Sequence, residues 1–202
     1  MPPVPASREA PWLLIIDPQR IFAAPESDWA SPFWEQSWSR IQELAAQIGP
    51  ERTLISRWLP TADRSTAWGE YFRAWPFADV PAADPLYRLV DGAAALSAHP
   101  TVDEPTFGKW GPQLEGIVGP APQLLVVGVS TDCCVLTTVL AAADAGAHLT
   151  VITDACAASS TENGDAALHT MGLFPPQVRL RTSTDVLERA QAMTGGIDDG
   201  DG

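Results

Sequence analysis

A chain of 202 residues with 46% hydrophobic and 18% charged residues has the make-up of one globular domain, too apolar for a disordered segment and without the long uncharged run of a membrane-spanning helix. With 25 acidic against 12 basic residues the net charge is −13, which repels phosphate backbones and anionic lipid and argues against nucleic acid and membrane partners. The leader, residues 1–10, has no basic stretch followed by an apolar one, so no secretory signal is read and a cytoplasmic location is expected.

In chain order, the run Trp12-Leu13-Leu14-Ile15-Ile16 before Asp17-Pro18 reads as a parallel strand buried on both faces. Phe33, Trp34, Trp38, Ile41, Leu44, Ala45 and Ile48 recur at helical spacing between about Ser31 and Ile48, and Gly49-Pro50 stops that helix. Strands follow at Thr53 to Trp58, Gln123 to Val129 and His148 to Thr153, with a nearly uncharged helix from Thr131 to Ala145 between the last two. Thr161 to Met171 reads as a helix, Val178 to Thr182 as a strand and Asp185 to Met193 as a helix, ahead of an acidic Gly-rich tail over 195–202. The leader and the tail are expected to be disordered, and 11–194 to be the domain. Alternating strands and helices at this spacing predict a three-layer α/β/α domain around a doubly wound, mostly parallel sheet. Ligands bind such sheets beyond the carboxyl ends of the strands, where Asp17, Arg57-Trp58, Val129-Ser130 and Asp154 fall.

Three cysteines, Cys133, Cys134 and Cys156, make neither a disulfide framework nor a spaced metal cluster and read as reduced thiols. Cys134 falls in the first turn of the helix after a strand, where unpaired N–H groups and the helix dipole favour a thiolate and can hold an oxyanion. The alternative is a small buried residue used only for packing. Successive helical residues diverge by about 100°, so one of the pair Cys133 and Cys134 is expected to face the cleft; Cys156 is expected to pack in a turn after Asp154. Asp17 ends an apolar strand, where a carboxylate is either a proton acceptor or a loop cap. Lys109, the only lysine, is the candidate amine, against a surface residue opening a helix from Trp110 to Val118.

IIDPQRIF with Asp17, Gln19 and Phe22, then GVSTDCCV, then DACAAS, resembles the isochorismatase-like cysteine hydrolases over Pro11 to Thr182. The resemblance implies an Asp-Lys-Cys triad of Asp17, Lys109 and Cys134, and a cis peptide between Val129 and Ser130 beside an oxyanion hole built from the N–H groups of Ser130 and Cys134. The family register puts Glu104 at the usual lysine position, so Lys109 takes that role from a shifted place. Nicotinamidase-type members hold a metal with histidines after the second strand; SRWLPTADRS has none, and His99, His148 and His169 make no ligand spacing, so no metal and no cofactor are expected.

The implied activity is hydrolysis of a small amide or related C–N bond through a thioester. Vinyl ether hydrolysis, which needs an acid rather than a thiol, and a non-catalytic binding or assembly module are the alternatives. Substrate contacts are expected from Ser130, Val129, Arg57, Trp58 and Trp110, with Arg57 and Arg73 as candidate partners for a substrate carboxylate. The aromatic cluster of Trp58, Trp68, Tyr71, Phe72, Trp75, Phe77 and Trp110 reads as a pocket lining, or as packing on the sheet or on a second subunit; a homo-oligomer is expected from its size.

Overall fold

The computed structural model describes residues 10–195. The leader and the acidic tail fall, but for Ala10 and Gly195, outside the described residues. The strands are β1 (Trp12–Ile16), β2 (Thr53–Trp58), β3 (Val102–Glu104), β4 (Gln123–Val129), β5 (His148–Ala157) and β6 (Val178–Arg181). They form one sheet in the order β3-β2-β1-β4-β5-β6, all neighbours parallel, which is the expected doubly wound arrangement. The helices are α1 (Arg20–Ala23), α2 (Trp34–Ile48), α3 (Ala67–Ala74), α4 (Pro112–Val118), α5 (Leu136–Asp144), α6 (Thr161–Met171) and α7 (Ser183–Gly195).

Burial on both faces is what the continuous apolar run of β1 requires. Leu13 and Ile15 meet Ile41 and Leu44 of α2 on one side, and Leu14 and Ile16 meet Leu114 of α4 and Val139 of α5 on the other. Each such side chain removed from water contributes roughly 1.5–3 kcal/mol. The chain leaves β1 toward β2 on one side and returns to β4 on the other, so the carboxyl ends of β1 and β4 open a crevice at the switch point.

Some boundaries differ from expectation. Helix α2 begins at Trp34 because the Ser31 hydroxyl accepts from Phe33 N at 3.2 Å and donates to Ala158 O at 2.6 Å, tying the preceding loop to the far side of the sheet. Strand β3 was not foreseen: Val102–Glu104 is short and acidic, and pairs with β2 alone at the sheet edge. Strand β5 runs on to Ala157, placing Cys156 opposite Gly128 in the sheet rather than in a turn. Gly128 has φ +122, and a Cβ there would sit 2.2 Å from Ile16 O; only glycine lets β4 approach β1 at this point.

The aromatic stretch around α3 packs mainly on its own chain. Phe72 is buried, Trp68, Tyr71 and Phe77 pack against the same core, and Trp75 remains exposed. The aromatic surplus behind the homo-oligomer expectation is therefore largely covered within the chain.

Candidate active site

Asp17 follows directly on β1 with φ +48, a left-handed conformation that Asp tolerates better than most residues and that costs about 1–3 kcal/mol. This turn aims the carboxylate into the crevice. Oδ1 accepts from the Ser56 hydroxyl at 2.8 Å, and Asp17 N donates back to that hydroxyl at 3.2 Å. Oδ2 lies 3.2 Å from Lys109 Nζ, and neither side chain has any solvent exposure. Burial pushes the Asp17 carboxyl above its usual range, while the Lys109 charge and the bonds from Ser56, Cys134 and Lys109 pull it back.

Lys109 is held from both ends. Its Nζ donates to Thr106 O at 2.7 Å, and its backbone N donates to Thr138 Oγ1 at 2.9 Å. The Thr138 hydroxyl donates in turn to Cys134 O at 2.6 Å, so one threonine joins the lysine loop to the cysteine turn. The surface, helix-opening alternative for Lys109 does not hold: the residue is fully buried and α4 starts at Pro112.

After β4, a cis peptide joins Val129 to Ser130, and Thr131–Val135 forms a π turn before α5, with Val135 N donating to Ser130 O at 3.0 Å. Wide turns of this kind recur at functional sites. Cys134 is buried to 1% exposure and lies near enough to Asp17 to help hold that carboxyl down, whereas Cys133 is half-buried. Both residues nevertheless border the cavity, whereas only one of the pair was expected to face it. Contact with Cys133, burial and the nearby Asp17 carboxylate all push the Cys134 thiol well up, with Lys109 opposing. Burial thus favours the protonated form of the Cys134 thiol, against the pull toward a thiolate expected from the helix position.

The cavity beside these groups measures about 210 Å³. Phe22, Trp29, Trp58, Tyr71 and Phe107 wall it, and Ser130, Asp28, Asp132 and Ser159 add polar groups. Trp29 is the hub, with ring centroids 5.7 Å from Trp58, 5.8 Å from Tyr71 and 6.2 Å from Phe22. Gln19, fully buried, fixes the wall from behind: its amide donates to Trp58 O and Tyr87 O at 3.0 and 2.8 Å and accepts from Trp58 N at 2.7 Å. Asp132 accepts from Ser159 N and Oγ at 2.8 and 2.6 Å, closing the rim between the π turn and α6.

Of the residues singled out in the sequence, Asp17, Lys109 and Cys134 come together, and Ser130 and Trp58 border the cavity. Three do not. Arg57 alternates to the opposite side of β2 from Trp58 and grips Asp103 on β3, with Nη2 to Oδ2 at 2.5 Å. Trp110, partly buried, packs against the core of the α4–α5 face, and Val129 is buried one residue short of the cavity. Arg73 is also absent from the lining. Phe22 was read only as part of the resemblance, and Asp28, Trp29, Phe107, Asp132 and Ser159 were missed; Asp28 and Trp29 sit in the Ser- and Pro-containing loop between α1 and α2.

An isochorismatase domain family model matches residues 11–184. The chain belongs to the isochorismatase family of hydrolases. No curated protein sequence matches it significantly. Its fold is similar to that of a cysteine hydrolase from Pseudomonas syringae pv. phaseolicola, at 18% identity, 90% and 92% coverage of this chain and that one, and a TM-score of 0.73. An isochorismatase family protein from Desulfovibrio vulgaris is 21% identical over 89% and 97% of the two chains, with a TM-score of 0.72. Pyrazinamidase of Pyrococcus horikoshii, solved in complex with zinc, is 19% identical over 84% and 97%, with a TM-score of 0.64.

In this isochorismatase-family chain the segment after β2 carries Asp63 but no histidine, and Asp63 already accepts from Ser65 N and Oγ at 2.8 and 2.7 Å. Among the described residues no group of His, Cys, Asp and Glu side chains is placed to hold a metal ion. These residues do not fit a zinc site. Among the described residues, too, no helix is long and apolar enough to cross a membrane.

Proposed function

We propose that this protein is a cysteine-dependent hydrolase of a small amide or related C–N bond, with Asp17, Lys109 and Cys134 as its catalytic residues. The reading rests chiefly on the burial of Asp17 with Lys109 Nζ 3.2 Å from its Oδ2 and with the buried Cys134 close by, Cys134 bordering the aromatic cavity. Asp17 takes the thiol proton as Cys134 Sγ attacks the substrate carbonyl carbon. Backbone N–H groups at the start of the π turn, from Ser130 and Cys134, receive the oxyanion. Asp17 then returns the proton to the departing nitrogen, the C–N bond breaks, and a thioester remains on Cys134. Water, deprotonated by Asp17, adds to the thioester, and the acid leaves with the thiol restored. Lys109 keeps a positive charge beside Asp17 throughout, which matters because two negative charges a few ångströms apart in a dry cleft are otherwise prohibitive.

The test is rapid quenching and mass analysis during turnover of a panel of amides, carbamoyl compounds and ureido acids. The reading expects an acyl adduct that maps to Cys134. Turnover of a vinyl ether without any adduct would favour the acid-catalysed alternative, and a panel with no turnover at all would favour a binding module. A cytoplasmic homo-oligomer is the accompanying expectation, checked by cell fractionation and by sedimentation at micromolar concentration.

A further inference from the structure

Among the described residues, no arginine, lysine or histidine borders the cavity. The single ammonium nearby, on Lys109, lies behind Asp17 with no exposure and is neutralised by it. What does face the space is a wall of aromatic rings and the carboxylates of Asp28 and Asp132. Asp28 is exposed and makes no ion pair or side-chain hydrogen bond with any described residue, so its charge is uncompensated. Burial holds the Tyr71 phenol well above its usual range, so that ring enters the wall as an aromatic face. Trp58 adds an indole Nε1 that is buried in the wall without a hydrogen-bond partner.

Aromatic faces carry negative quadrupole potential and attract cations within about 6 Å of the ring, the more so where water is displaced. Carboxylates at the rim act in the same direction, and a low-dielectric wall strengthens both effects. An anionic substrate would meet the carboxylates of Asp28 and Asp132 and, among the described residues that line the cavity, find no arginine or lysine to receive it. We propose that the cavity selects a positively charged substrate, a small amide bearing an ammonium or guanidinium group that lies against Trp29, Tyr71 and Phe22 with Asp28 as its counter-charge. Carboxylate-bearing amides are disfavoured. The inference rests on reading this cavity as the hydrolase's substrate site, and it replaces the expected role of Arg57 and Arg73 as carboxylate receptors, since neither reaches the space.

The test uses the cavity's own thiols as reporters and needs no turnover, so it separates the charge selectivity from the hydrolase reading. Wild-type protein is treated with a cationic (2-aminoethyl) and an anionic (2-sulfonatoethyl) methanethiosulfonate. Each reagent transfers its thioalkyl group to the protein sulfur with loss of methanesulfinate. Modification of Cys133 and Cys134 is followed by peptide mass analysis at physiological ionic strength, where the field of the remaining surface is screened over about 8–10 Å. Relative to a neutral free thiol such as N-acetylcysteine amide, the cationic reagent is expected to react at least about tenfold faster than the anionic one, a preference of the size expected for adjacent unscreened charges. Asp28→Asn should lower that preference about threefold or more. Asp144→Asn, at the far end of the helix that leads away from the cavity, should leave it unchanged. A preference equal to or below that of the free thiol overturns the proposal, as does an equal loss in Asp28→Asn and Asp144→Asn, which would assign the effect to net charge alone.

Discussion

Lys109 Nζ stands 3.2 Å from Asp17 Oδ2 with both side chains sealed from solvent, although the two residues lie far apart in the chain. A buried pair of this kind is weak evidence for stability, because desolvating two ions offsets most of their attraction. Its value is positional: it keeps a carboxylate charged beside a thiol that has to give up a proton. Lys109→Ala is therefore expected to lower the maximal rate by roughly a hundredfold or more, the scale of losing one charge-stabilising group. Arg57→Ala should leave the rate unchanged, since its part-exposed pair with Asp103 lies away from the cavity and contributes about 0–1 kcal/mol. Steady-state kinetics on the two variants decide between the cations.

The acid limb of the rate profile should belong to Asp17. The carboxyl accepts a proton only when ionised, and burial raises it above its ordinary value of 3.8, so activity should fall with decreasing pH at a point above the usual carboxylate range. Asp17→Asn tolerates the same left-handed turn but cannot take the proton; it should lose about 100- to 10,000-fold in rate, and with it that limb. A limb at the same pH in the variant would place the titration elsewhere.

Cys156 gives the fold an alkaline weakness. Burial pushes its thiol to about 12, while in the unfolded chain it ionises near 9. Because the folded pKa is the higher one, the unfolded state releases its proton first, and stability falls as pH rises from 9 toward 12 by roughly 1.4 kcal/mol per pH unit. The buried Cys134 thiol, also raised, adds to the same trend. Urea melts of Cys156→Ala at pH 7 and pH 10 should show a smaller pH-dependent loss than wild type.

Exhaustive chelation should leave activity unchanged, since the residues after β2 offer no histidine and Asp63 is turned to Ser65. Activity lost on chelation and restored by a stoichiometric metal would contradict this.

The layered fold was legible because its signals are local. The apolar run of β1 announces a strand buried on both faces, and Thr161–Met171 is foreseen to the residue. Strand β3 was not legible, because a three-residue acidic edge strand exists only through its pairing with β2. Among site residues, Asp17, Lys109 and Cys134 could be named from their positions and from the family resemblance. The cavity wall could not be read in the same way: Trp29 and Phe107 come from different loops and are bridged by Tyr71, and nothing in either loop marks its aromatic as facing ligand rather than core. Arg57 shows the same limit from the other side. A strand end places a residue near the cleft, but the alternation along β2 sends Trp58 inward and Arg57 to Asp103.

The most direct test of the account is the hydrolysis rate of Cys134→Ala beside Cys133→Ala, with circular dichroism confirming that both variants fold. Of the two cysteines, Cys134 is the one that is fully buried and that helps hold the Asp17 carboxyl down, so its loss is predicted to abolish turnover, whereas Cys133→Ala, which leaves that arrangement in place, should retain most of it. Substantial turnover by Cys134→Ala, or equal loss in both variants, would contradict the assignment of Cys134 as nucleophile.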